Sequence, residues 1–433
     1  MTFGSIQFSN KLNIITMICC FLFGMNYLIL YTAFMHSNIG RYSGVISMTN
    51  YTGGILTLCV LLLLSYLPKV RICYRHIGVV VLGLNFLLNV VCIFGTLALQ
   101  LGATYEKAYL LMICELTFCC LPPLNFFVFF NLSYSLSSHH TICYLVGMPF
   151  GTLLVSMFAM FVEMNPIISY LILSCFTFIA FISSVILFFF VPSVYNFLES
   201  QKEITYEDQY IDIDDIGRKM SLLHVMKSIM KEMKLPLVII SCFYFTKTFI
   251  VTRYISPIQR HYNCYHEPTS AGQAQQLNEK DEMYRYFIEI ELCTFLFTLG
   301  SLLGRLFTLC FKLQLKTSLI VSIIFSFGGI LVTLIIYFTT AGNVEIAEKT
   351  TYFMFFFDFI LGFVGGYVFA SGVEHSMSNV EPRLAVAIII FVIYLSSFIA
   401  YLLQLVVSIG DNVIAHKSGK CPNCLFDELE HIL

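Results

Sequence analysis

The sequence predicts an all-α, polytopic membrane protein, and two observations carry that prediction. Only 12% of the 433 residues are Asp, Glu, Lys or Arg, against 58% hydrophobic, and the mean hydropathy is +0.82. A soluble domain is about one quarter charged, so this chain lacks the charge to cover a surface facing water. Apolar runs of about twenty residues also recur from end to end, the length a helix needs to cross a hydrocarbon core.

The net charge of -2 offers no basic or acidic field, which argues against nucleic acid or a strongly charged soluble partner. Most of the 16 cysteines lie within apolar runs, where a thiol behaves as a small hydrophobe; Cys264, Cys421 and Cys424 sit in polar segments. The first apolar run is full length and reads as a spanning helix rather than a cleaved signal.

Cutting the runs at charged or turn-forming residues gives eleven spans, near 12–34, 45–67, 77–101, 109–131, 142–162, 167–191, 236–257, 287–311, 317–338, 351–373 and 384–409. With the N-terminus in the cytosol, the short inner loops hold Lys11, Lys69, Arg71, Arg75, Lys312, Lys316 and Arg383. The short outer loops hold only Arg41, Lys107 and Lys349. That bias predicts a cytosolic N-terminus and, from the odd number of spans, a non-cytosolic tail over 410–433.

One long inner segment, 192–235, separates six spans (1–191) from five (236–409). Its first part is acidic, with Glu199, Glu203, Glu207, Asp208, Asp212, Asp214 and Asp215. Its second part sets Met226, Ile229, Met230 and Met233 at helical spacing against Lys227, Lys231 and Lys234, the pattern of an amphipathic helix on the inner membrane surface. A six-plus-five division suits a secondary transporter built from two rocking halves.

In span eight, Phe297-Thr298-Leu299-Gly300-Ser301-Leu302-Leu303-Gly304-Arg305 resembles the eighth-helix signature of equilibrative nucleoside transporters, with Phe297, Gly304 and Arg305 in register. Gly366-Tyr367 in span ten and Asn379-Val380-Glu381-Pro382 before Ala385 and Ala387 are similar to that family's Asn-Gly-Tyr and Lys-Pro segments. Ser301 stands where the family has Asp, and Thr298 where it has Asn. Leu28-Ile29 replaces a common Pro-Trp pair. The resemblance implies eleven helices in a 6+5, major-facilitator-like arrangement and the carriage of nucleosides or nucleobases.

Ionisable residues within spans usually face a cavity or a partner. At 1.5 Å per residue, Lys247 lies roughly 16 Å from the inner boundary, and Asn26, Glu115 and Asp358 roughly 20 Å. They fall on spans one, four, seven and ten, which line the central path in the analogous architecture. The competing reading makes Lys247 a buried tether to one carboxylate. Tyr27, Tyr31 and Tyr244 are candidates to pack a base, while Asn26, Glu115 and Lys247 are candidates to bond its edge or the ribose. Thr298, Ser301, Arg305 and Asp358 complete the expected binding set. Arg305, deeper toward the cytosol, is expected to be latched by Glu374 as an inner gate, with snorkelling as the alternative.

Arg253, about 600° round the helix from Lys247, is read as snorkelling outward. Pro122, Pro123 and Pro149, the last between Gly147 and Gly151, interrupt backbone bonding and suggest a cavity-lining hinge. His139 and His140 read as a solvated loop. Cys421-Pro422-Asn423-Cys424 reads as an inert tail or a local disulfide, since one pair cannot supply four zinc ligands.

No nucleophile elbow, phosphate loop or paired metal-His motif appears. The sequence therefore leads to a multi-pass carrier rather than an enzyme, with no cofactor or metal expected. Its expected partners are a nucleoside or nucleobase permeant and the lipid bilayer, with the plasma membrane preferred to an intracellular one. Other small polar solutes and proton coupling stand as alternatives.

Overall fold

Each apolar stretch carries a helix in the described part of the chain. The computed structural model describes residues 10–27, 51–60, 74–100, 120–161, 166–194, 227, 230–251, 292–340, 344–376 and 382–417. In chain order the helices are α1 (Asn10–Met25), α2 (Tyr51–Val60), α3 (Tyr74–Gln100), α4 (residues 121–136), α5 (Ser138–Phe161) and α6 (Pro166–Val185). They continue with α7 (Lys234–Val251), α8 (Leu292–Phe307), α9 (Leu315–Thr340), α10 (Val344–Ser376) and α11 (Pro382–Lys417). None of the described residues forms a strand.

Five stretches, in α5, in α6 with the turn that follows it, and in α9, α10 and α11, are long and apolar enough to cross a membrane. Their outward faces carry apolar side chains such as Phe178, Ile324, Phe327, Phe356 and Val406. Such faces are stable where the surrounding solvent is itself apolar. The chain is accordingly an α-helical, membrane-embedded protein.

Small residues set the closest helix pairs. A Cβ built on Gly300 or Gly304 would collide with the backbone of Phe359 or Phe363, and one on Gly362 or Gly366 with that of Phe297 or Ser301. A Gly-x-x-x-Gly motif on each helix therefore lets α8 and α10 meet backbone to backbone in one seam. Gly24 on α1, with Gly147 and Gly151 on α5, forms a second seam of the same kind. On α9, Ser318, Ser322 and Ser326 recur every fourth residue. Ser318 meets Ser371 at 2.9 Å, while Ser322 and Ser326 donate to the Ile239 and Cys242 carbonyls at 3.4 and 3.2 Å.

Helix contacts are densest between α1 and α5 and between α3 and α6 in the first part of the chain. In the second part they are densest among α7, α9, α10 and α11. Contacts between the two groups include α4 with α11, α5 with α10, and α2 with α11 where Gly54 lies against the Tyr394 ring. The sequence places the Pro122-Pro123 break inside a span, whereas both prolines occupy the first turn of described α4, where a missing N–H leaves no helical bond unmade. The irregularity comes later, as the π-helical turn Phe126–Phe130, whose five side chains are all buried.

Candidate functional site

The central residues follow from which faces the two groups turn toward each other. Tyr244 and Lys247 are three residues apart on α7 and share a face. Lys247 holds its Nζ 5.7 Å from the centre of the Tyr244 ring. Its side chain is half-buried. Arg305 on α8 is 2% exposed, and its guanidinium carbon stands 4.8 Å over the Phe369 ring of α10. Tyr244 and Phe369 meet edge to face at 5.2 Å, so one aromatic pair supports both cations.

Tyrosines from the first group complete the cluster. The Tyr27 hydroxyl, just beyond α1, donates to the Tyr394 hydroxyl of α11 at 3.5 Å. Tyr144 on α5 donates to Asn125 Oδ1 at 3.1 Å. Tyr27 and Tyr244 lie within electrostatic reach of Arg305. Hydroxyls and cations from α1, α5, α7, α8 and α11 thus converge between the two groups.

Arg305 also reaches across to the first group, where its Nη1 donates to the Leu145 carbonyl of α5. That carbonyl is available because its helical donor would be the N–H of residue 149, and residue 149 is proline. Here the expected latch is corrected. Glu374 pairs with Lys312 in the turn after α8, at the surface. Lys312 lies in the connection between α8 and α9, and Glu374 near the end of α10. Arg305 lies about 100° round α8 from Gly304, facing Phe369 and Leu145.

Other expected members are placed differently. Asp358 is fully buried on α10 but is not among the described groups interacting with Lys247. Asn26 is buried, donates to its own helix at Leu22, and leaves Oδ1 without a described partner. Thr298 and Ser301 are buried on α8. Tyr31, Glu115, Arg253, Cys264, Cys421 and Cys424 lie outside the described residues, as does most of 192–235. Of the linker's expected apolar face, Met233 is buried, whereas Met230 is 47% exposed.

The two histidines are also corrected in part. α5 begins at Ser138, so His139 and His140 occupy its first turn about 100° apart. His139 faces outward, while His140 is buried between Thr16 at 2.8 Å and Ser137 at 2.7 Å. Among the described residues no group of three His, Cys, Asp or Glu side chains is placed to hold a metal.

Sequence reasoning missed Tyr144, Tyr394, Asn125 and Phe369. Tyrosine and asparagine inside an apolar run offer a weak signal, because one turn of helix decides whether they face lipid or the interior. The Leu145 carbonyl had a clear signal in the position four residues before Pro149. Compared with protein-family models and with curated proteins, the chain matches none.

Proposed function

We propose that this chain carries nucleosides or nucleobases across a membrane by alternating access of two helical bundles, 1–191 and 236–409. The observation that carries the reading is the enclosed cluster of cations, hydroxyls and aromatic rings between the two groups. A permeant site in a rocking carrier belongs at such an interface, because each half must face the solute in turn. The aromatic rings suit the flat face of a base, and the hydroxyls suit its edge or the ribose. The motif around Gly304-Arg305 adds the family resemblance.

Arg305 takes the part of a gate, tied to Leu145 rather than to Glu374. A carrier of another small polar solute would use the same cluster. A receptor or scaffold would need only its tethers. Purified full-length chain in liposomes is expected to take up labelled adenosine or hypoxanthine and to exclude glucose. Uptake of glucose alone points to the other-solute carrier, and uptake of none of the three removes the nucleoside and nucleobase reading.

A further inference from the structure

We infer that the permeant bears a negative charge, a phosphate or a carboxylate, seated between Lys247 and Arg305 within the tyrosine cluster. The inference rests on the carrier reading and shifts its substrate class from neutral nucleosides and nucleobases to base-bearing anions. A buried cation is ordinarily matched by a carboxylate, because an ion removed from water needs a partner. Among the described residues, the charged group interacting with Lys247 is another cation, Arg305. Around Arg305 the interacting groups are the Tyr244 and Tyr27 hydroxyls. Asp358 is not among the groups at either cation, and Glu374 is taken by Lys312.

Among the described residues, the geometry brings two positive charges together with no carboxylate at either. Both sit on one aromatic pair, Lys247 at 5.7 Å from the Tyr244 centre and Arg305 at 4.8 Å from that of Phe369. Aromatic faces attract a cation but do not cancel its charge. Arg305 spends one N–H on Leu145 and keeps a buried Nε without a partner, a donor that an anion's oxygen can fill. Lys247 is half-buried, so its ammonium is not sealed off by the side chains around it. Tyrosine hydroxyls supply neutral donors around the same point. An anion arriving between Lys247 and Arg305 relieves the repulsion of the two cations, whereas a neutral solute leaves it in place.

The shared chemistry is a base-bearing anion, and phosphate and carboxylate are separable by experiment. Full-length chain in liposomes is offered labelled uridine, uridine monophosphate and orotate, a pyrimidine carboxylate. The expected result is an initial rate at least tenfold higher for one of the anions than for uridine, with the favoured anion identifying the group. Inward-positive membrane potential should speed that uptake. Lys247→Gln should lower anion uptake at least tenfold, and Lys247→Arg should keep most of it, with size-exclusion profiles checking that both variants fold. Ser301→Asp, which adds a carboxylate one turn from Arg305, should shift preference toward uridine. Uptake of uridine with neither anion entering or competing overturns the inference and leaves the carrier reading intact. Uptake of none of the three, with adenosine and hypoxanthine also excluded, defeats the carrier reading itself.

Discussion

A proline makes its largest contribution here four residues away from itself. Pro149 withholds an N–H, Leu145 is left with a free carbonyl inside α5, and Arg305 of the other helical group fills it. A hydrogen bond from a charged donor contributes about 1.5–3 kcal/mol. Arg305→Gln is therefore expected to destabilise the protein by about 2 kcal/mol. In a Pro149→Ala background, where the helix supplies its own donor, the loss should be clearly smaller. Thermal unfolding of the four proteins in detergent measures the coupling, and strictly additive losses would refute it. The freed carbonyl was legible from the proline's position; its partner was not, because no spacing rule says which distant side chain arrives. Glu374 was chosen for Arg305 on depth alone, and depth says nothing of the direction a side chain leaves its helix.

Among elements, the seam between α8 and α10 shows why a motif residue need not touch a permeant. Gly304, aligned with the resembled family's signature, faces the α10 backbone at Phe363. Its role in the fold is close approach, with Gly300, Gly362 and Gly366 as its counterparts. Gly304→Val or Gly362→Val is expected to force the helices apart and cost about 1–3 kcal/mol or more. Gly328 on α9 provides the contrast, being exposed with open space around it. Gly328→Ala should be neutral or slightly stabilising, since a helix-interior glycine costs roughly 0.5–1 kcal/mol relative to alanine. Melting temperatures of the purified variants check both directions, and equal effects at the two sites would contradict the seam. Helix positions were the most legible feature, because apolar length is a property of the segment itself. Pairings such as His140 with Thr16 depend on the rotation of one helix against another, which the apolar pattern leaves open.

Across the whole molecule, the two helical groups touch at more than one level, and a rocking carrier cannot keep all those contacts. Arg305 meets Leu145 about 10 Å in from the start of α5, counting 1.5 Å per residue from Ser138. Tyr51 on α2 and Tyr401 on α11 meet with ring centres 5.9 Å apart. Tyr401 lies about 28 Å along α11 from Pro382, well beyond Tyr394. If the groups separate at each end in turn, the tyrosine pair must part during every cycle. A short bifunctional cross-linker joining cysteines in Tyr51→Cys/Tyr401→Cys is therefore expected to stop uptake of an accepted permeant, and reduction of a cleavable linker should restore it. Each single variant serves as the control for the native cysteines. Ser318 and Ser371, in contact at 2.9 Å within the second group, provide a tie that rocking does not strain. A disulfide in Ser318→Cys/Ser371→Cys should leave most of the uptake in place, because α9 and α10 travel together. Full transport with the Tyr51–Tyr401 pair completely cross-linked would mean that the groups do not separate there, and alternating access by these two bundles would have to be abandoned.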